Sequence, residues 1–122
     1  MSDAINWFEI PVRDLDRAAR FYETMLGTKL KRESFAGTPM AMFPTGDITC
    51  VGGSLVADAK RQPSADGALV YLNTLDLDAC VGRAAKAGGT VALAKTDIGP
   101  PGFIAIVIDT EGNRVGLHTP RN

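Results

Sequence analysis

The sequence predicts an α+β protein of two tandem βαβββ units that curve their sheets around a shared cleft, and three observations lead there. Asp14-Leu15-Asp16 returns 62 residues later as Asp76-Leu77-Asp78, and Gly27-Thr28 returns in the same register as Gly89-Thr90. In both copies the apolar period changes from two to three-and-four at the aspartates, the pattern of a strand running into a helix. Each helical stretch is then followed by three short strand-like runs separated by turn residues. Identity between the copies is 5 of 24 positions (residues 7–30 against 69–92), so pattern repeats while most residues differ.

The first strand, residues 6–12, alternates Phe8, Ile10 and Val12 with Trp7, Glu9 and Pro11. The first set is expected to meet a helix. The second faces the other side of the sheet, where a tryptophan beside a glutamate marks a cavity wall. A helix is predicted over 14–27, opened by Asp14 or Asp16, whose carboxylates accept first-turn amide protons and suit the positive end of the helix dipole. Leu15, Ala18, Ala19, Tyr22, Met25 and Leu26 make its apolar stripe, and Gly27 ends it. Strands follow at 28–32, 39–44 and 48–56, with turns at Gly37-Thr38 and Thr45-Gly46-Asp47. Gly52-Gly53 lies inside a strand with no helix after it, so it is not read as a phosphate loop.

Residues 57–68, ADAKRQPSADGA, are polar and carry a proline and a glycine, which marks a linker between units at 4–56 and 69–120 of one domain, 1–122. Residues 69–75 repeat the opening strand, with Val70, Leu72 and Thr74 on the helix side and Leu69, Tyr71 and Asn73 opposite. The second helix, 76–88, is expected to keep the same logic with Asp78 at its start, has the stripe Leu77, Cys80, Val81, Ala84 and Ala87, and stops at Gly88-Gly89. Strands at 90–93, 103–108 and 114–118 complete the unit. Between them lie 96–102, TDIGPPG, a shaped loop fit for a lid or a rigid turn, and 109–113, a structural hairpin turn.

Composition narrows the function. Hydrophobic residues make up 45%, enough for one continuous core. Basic and acidic residues balance at 13 and 14, which leaves no electrostatic footprint for nucleic acid or an anionic membrane. A small, neutral or mildly charged molecule is the expected partner. No apolar run approaches the roughly 20 residues of a membrane span, and the opening MSDAINWFEI has no secretory character, so a cytoplasmic protein is expected. Cys50 and Cys80 are isolated from each other and read as small reduced hydrophobes.

The tandem units, the opening EIPVRDLDRAARFYETMLG and the closing DTEGNRVGLH resemble the vicinal oxygen chelate superfamily, which holds glyoxalases, bleomycin-resistance proteins and extradiol dioxygenases. The resemblance spans roughly residues 4–120 and specifies fold far better than activity. In metal-dependent members, it implies, four strands each supply a His or Glu to a divalent ion that polarises substrate oxygens. Those positions fall here on Trp7, Leu69, Gly116 and the run 50–54, with no His, Asp or Glu among them. No metal and no cofactor are therefore expected.

Glu9 and His118 each stand two residues from a lost ligand position, on the same side of their strands, and are the candidate catalytic pair. A carboxylate beside an imidazole orients it for general acid and base work, and His118 is the chain's one histidine. Trp7, Tyr71 and Asn73 are the candidate ligand contacts, two aromatic walls and an amide. The structural alternatives are a loop tether for Glu9, a solvent position for His118 and core packing for the aromatics.

Three functions follow: a metal-free small-molecule binder, a metal-independent isomerase or lyase moving a proton next to a carbonyl, and a metal-dependent lyase or dioxygenase with a rebuilt site. Two candidate ligands are too few for the third. Whether the chain is an enzyme is left open. The resemblance also implies a homodimer whose cleft is completed across a two-fold axis, covering open sheet edges.

Overall fold

The computed structural model describes residues 3–46 and 50–122. In chain order its elements are β1 (Trp7–Pro11), α1 (Leu15–Leu26), β2 (Lys31–Phe35), β3 (Thr38–Met42), β4 (Gly52–Val56), β5 (Tyr71–Asn73), α2 (Leu77–Lys86), β6 (Thr90–Asp97), β7 (Phe103–Ile108) and β8 (Arg114–Thr119). They build two four-stranded sheets, ordered β1-β4-β3-β2 and β5-β8-β7-β6. The repeat seen in sequence is thus a repeat of topology. In each sheet the first strand pairs in parallel with the last, and the remaining pairs are antiparallel.

Asp14 caps α1, its Oδ1 accepting the Arg17 amide proton at 3.0 Å, and Gly27 closes the helix at φ 68. In α2 the cap is Asp76, which accepts from the Ala79 amide at 3.1 Å, while Asp78 lies inside the first turn. Ile10, Val12, Ala18, Ala19, Tyr22 and Met25 share one buried cluster with Leu72, Leu77, Cys80, Ala84, Val107 and Leu117. Leu15 and Leu26, placed on the stripe, are only partly buried, and Phe21, left off it, is 1% exposed. The reason is tertiary. The two helices pack against each other, and the Phe21 ring fills the space beside Gly89 of the second unit.

Several boundaries move for local reasons. The strand expected at 28–32 lies at Lys31–Phe35, because the amides of Thr28 and Leu30 are held by the Glu23 carbonyl and carboxylate. It then extends to Phe35, since the turn uses only Ala36 and Gly37, both at positive φ (50 and 83) as a two-residue hairpin turn requires. Of the strand expected at 48–56, Gly52–Val56 is observed, and residues 48 and 49, like Asp47 of the preceding turn, lie outside the described residues. Strand β6 runs on to Asp97 through two register shifts against β7, so Thr96 and Asp97 belong to the sheet and the loop shrinks to 98–102.

The turn at 109–113 is the buried junction of the units. Asp109 accepts the Tyr22 hydroxyl at 2.6 Å and the amides of Glu111 and Asn113 at 2.8 Å each. Asn113 donates to the Pro11 carbonyl at 2.8 Å and accepts the Ser64 amide at 3.0 Å. Glu111 accepts the amides of Arg13 and Asp14, the two residues that lead into α1, at 2.9 Å each. Arg17 grips the same carboxylate through Nε at 2.7 Å and Nη2 at 3.0 Å. Burial works to raise the Glu111 pKa. Hydrogen bonds from Arg17, the Asp14 amide, Thr110 and the Arg13 amide outweigh it and hold the group down at about 2.

Candidate functional site

Strand β1 turns Ile10 and Val12 into the core, which leaves Trp7 and Glu9 on the open face of the first sheet. Trp7 pairs with Gly52 of β4 and lies over it: a Cβ on that glycine would come 3.0 Å from the indole Cζ3. The indole Nε1–H donates to Glu9 Oε2 at 3.2 Å. Arg61 donates from Nη2 to the other oxygen, Oε1, at 2.6 Å, while its Nε stands 3.6 Å from Asp58 Oδ2. Beside Glu9 in register is Ser54, fully buried, with its hydroxyl 3.7 Å from the Met40 sulfur.

The second sheet repeats the motif with different chemistry. Tyr71 pairs with Gly116, and a Cβ there would overlap the tyrosine ring. Next on the same face is a row of Asn73, His118 and Ile104. His118 Nε2 is 2.7 Å from the Pro101 carbonyl, which only accepts, so Nε2 carries the proton. The loop 98–102 is tied from below as well. Arg121 pairs with Asp97, donates to the Gly99 carbonyl at 3.1 Å and stacks 4.6 Å above the Phe103 ring. Arg121 and the Gly99 amide together hold the Asp97 pKa below its ordinary value. Of the two roles the sequence left open for this segment, lid or rigid turn, these contacts favour the turn.

Glu9 and His118 belong to different sheets, and the structure gives each another partner. The contacts are Trp7 and Arg61 for Glu9 and the Pro101 carbonyl for His118, so neither residue is the other's hydrogen-bond partner. A cavity of about 230 Å³ opens where the units meet, lined by Glu9 and Pro11 from the first, Val70 and Arg114 from the second, and Gln62, Ser64 and Asp66 from the connector. A second, of about 330 Å³, is lined by Val12, Arg13, Ala57, Asp58, Ala59, Arg61 and Gln62. Trp7, Tyr71, Asn73 and His118 line neither. Arg61 was missed by the sequence reading, which took its segment as linker. Its partner lies 52 residues away, and only the fold brings the two charges together.

The positions that the family resemblance assigns to metal ligands hold an indole at Trp7, an alkyl chain at Leu69 and a hydrogen at Gly116, none of which donates to an ion. Among the described residues, no three His, Cys, Asp or Glu side chains gather closely enough to hold one. The described residues do not fit a divalent metal.

Two βαβββ units, each with a first strand paired in parallel to its last and one face left open, define the paired-unit class of this fold. The chain belongs to the Glyoxalase/Bleomycin resistance protein/Dioxygenase superfamily, whose pattern it matches over residues 4–117. It is 34% identical over 121 residues to a glyoxylase-like domain-containing protein of Didymella fabae, covering 94% of this chain and 92% of that one. Among solved structures it resembles trypanothione-dependent glyoxalase I of Leishmania major, with TM-score 0.71 and 21% identity over 97% of this chain and 87% of that one. It also resembles a glyoxalase/bleomycin resistance protein of Albidiferax ferrireducens, with TM-score 0.68 and 18% identity over 96% and 99% of the two chains. At these identities the solved structures speak for the fold alone.

Proposed function

We propose that this chain binds a small planar molecule against its open sheet faces, with Trp7, Tyr71 and Asn73 as contacts and without the metal site of its metal-dependent relatives. The observation that carries the proposal is the pair of aromatic rings laid over strand glycines, Trp7 over Gly52 and Tyr71 over Gly116. Two of those four residues, Trp7 and Gly116, stand at assigned metal-ligand positions, so a flat apolar platform replaces a charged donor set. Trp7 is 41% and Tyr71 44% exposed, so both rings are available to a ligand. Trp7 is the single tryptophan, and its emission reports directly on the site. Titration with 2-naphthamide is expected to quench that emission saturably, before and after treatment with a chelator, in protein free of stoichiometric metal. A tightly held ion at full occupancy, or binding abolished by the chelator, would overturn the proposal.

The second reading is a metal-independent isomerase or lyase, and one observation speaks for it: with the His118 Nε2 proton held by the Pro101 carbonyl, Nδ1 is left as the ring nitrogen that can accept a proton. It requires proton transfer next to a carbonyl to be lost in both Glu9→Gln and His118→Gln. For a metal-dependent lyase or dioxygenase, the described residues offer no cluster of three His, Cys, Asp or Glu side chains. We also propose a homodimer, which would cover apolar side chains left exposed on the edge strands β2 and β6, Phe35 and Leu93. Sedimentation as a monomer of 12.9 kDa at micromolar concentration would refute it. A reducing cytoplasm suits the two free cysteines, Cys50 exposed and Cys80 buried. No helix among the described residues is long and apolar enough to cross a membrane.

A further inference from the structure

We infer that Arg61 is a positioning residue for this site: it holds the Glu9 carboxylate at the edge of the Trp7 ring as a fixed hydrogen-bond acceptor. The site thereby selects a planar ligand bearing an N–H or O–H donor over one bearing an anion. This rests on reading the face around Trp7 as the binding face.

Each Glu9 oxygen has one donor in place, the Trp7 indole at 3.2 Å on Oε2 and Arg61 at 2.6 Å on Oε1. A carboxylate oxygen accepts about two hydrogen bonds, so each retains a free acceptor direction. The Glu9 side chain is 26% exposed, which leaves those directions open to a ligand. Arg61 is itself braced, with Asp58 3.6 Å from its Nε, so the chain Asp58–Arg61–Glu9–Trp7 runs from the connector to the aromatic platform. Two carboxylates share one guanidinium along it, so the cluster carries a net charge of −1 and repels an anion. Glu9 also lines the cavity between the units, so its carboxylate borders both that space and the Trp7 ring.

The test compares 2-naphthamide with 2-naphthoate, two probes of one shape that differ in donor and charge. Trp7 emission and calorimetry at pH 7 are the readouts. The amide is expected to bind about tenfold more tightly, the worth of one hydrogen bond to a charged acceptor. Arg61→Ala should weaken the amide about tenfold, and Arg61→Lys should recover part of that loss, because the contact to Glu9 uses a single nitrogen. Glu9→Gln should remove the bias against naphthoate. Naphthoate binding as tightly as the amide, or amide affinity unchanged in Arg61→Ala, would overturn the inference. If neither probe binds, the binding reading itself falls, and positioning is judged by the one indole N–H resonance. Displacement in Arg61→Ala with return in Arg61→Lys upholds it; an unmoved resonance overturns it.

Discussion

Replacing Glu111 by glutamine keeps the size of a fully buried side chain, removes its charge, and leaves Arg17 and the amides leading into α1 facing a weaker acceptor. The carboxyl is held at about 2 against an ordinary 4.5. At 1.36 kcal/mol per unit, that difference sets a ceiling of about 3.4 kcal/mol on what ionisation contributes at neutral pH. Arg17 is 49% exposed and its share is screened by solvent, so about 2 kcal/mol is the working figure. For a chain of this length that corresponds to roughly 8 °C in Tm. The folded pKa is the lower one, so the contribution is complete above 4.5 and disappears as pH falls toward 2. By pH 3 more than half should be gone. Urea unfolding of parent and Glu111→Gln at pH 7, 5 and 3 measures this, and the gap between them should narrow steadily with acid. A gap that stays constant from pH 7 to 3 would refute the reasoning and assign the loss to packing.

Two further substitutions probe the junction and the platform. Tyr22→Phe removes the 2.6 Å donor to buried Asp109 and should cost about 1–2 kcal/mol in urea unfolding. Burial and the Asp109 charge raise the Tyr22 pKa well above 10.0, so the parent should lose stability as pH climbs past 10, and Tyr22→Phe should be spared that loss. Gly116→Ala forces the Tyr71 ring off its glycine and should weaken 2-naphthamide binding severalfold. Unaltered affinity in that variant would remove Tyr71 from the ligand site.

Local chemistry wrote the elements into the sequence. An aspartate at the start of each helix, Gly27 as a stop and the change of apolar period all act within a turn or two of chain, where no tertiary partner is needed, though which aspartate caps, Asp14 rather than Asp16 and Asp76 rather than Asp78, came from the structure. Strand periodicity likewise told which side of β1 and β5 each residue takes: Ile10 and Leu72 are buried, Trp7 and Tyr71 open. The absence of ligand chemistry at Trp7, Leu69 and Gly116 is a property of residue identity and was readable for the same reason.

Tertiary structure decided what depends on residues far apart in the chain. Phe21 is core because α1 meets α2 and Gly89. Glu111 holds Arg17 and the chain entering α1 across 94 residues of sequence, which a hairpin turn read in isolation does not disclose. The candidate site changed most. Glu9 belongs with Arg61 and Trp7, and His118 with Pro101, because partner choice among charged and polar groups is settled by distances of a few ångströms, and those are set only when the connector folds back along β1.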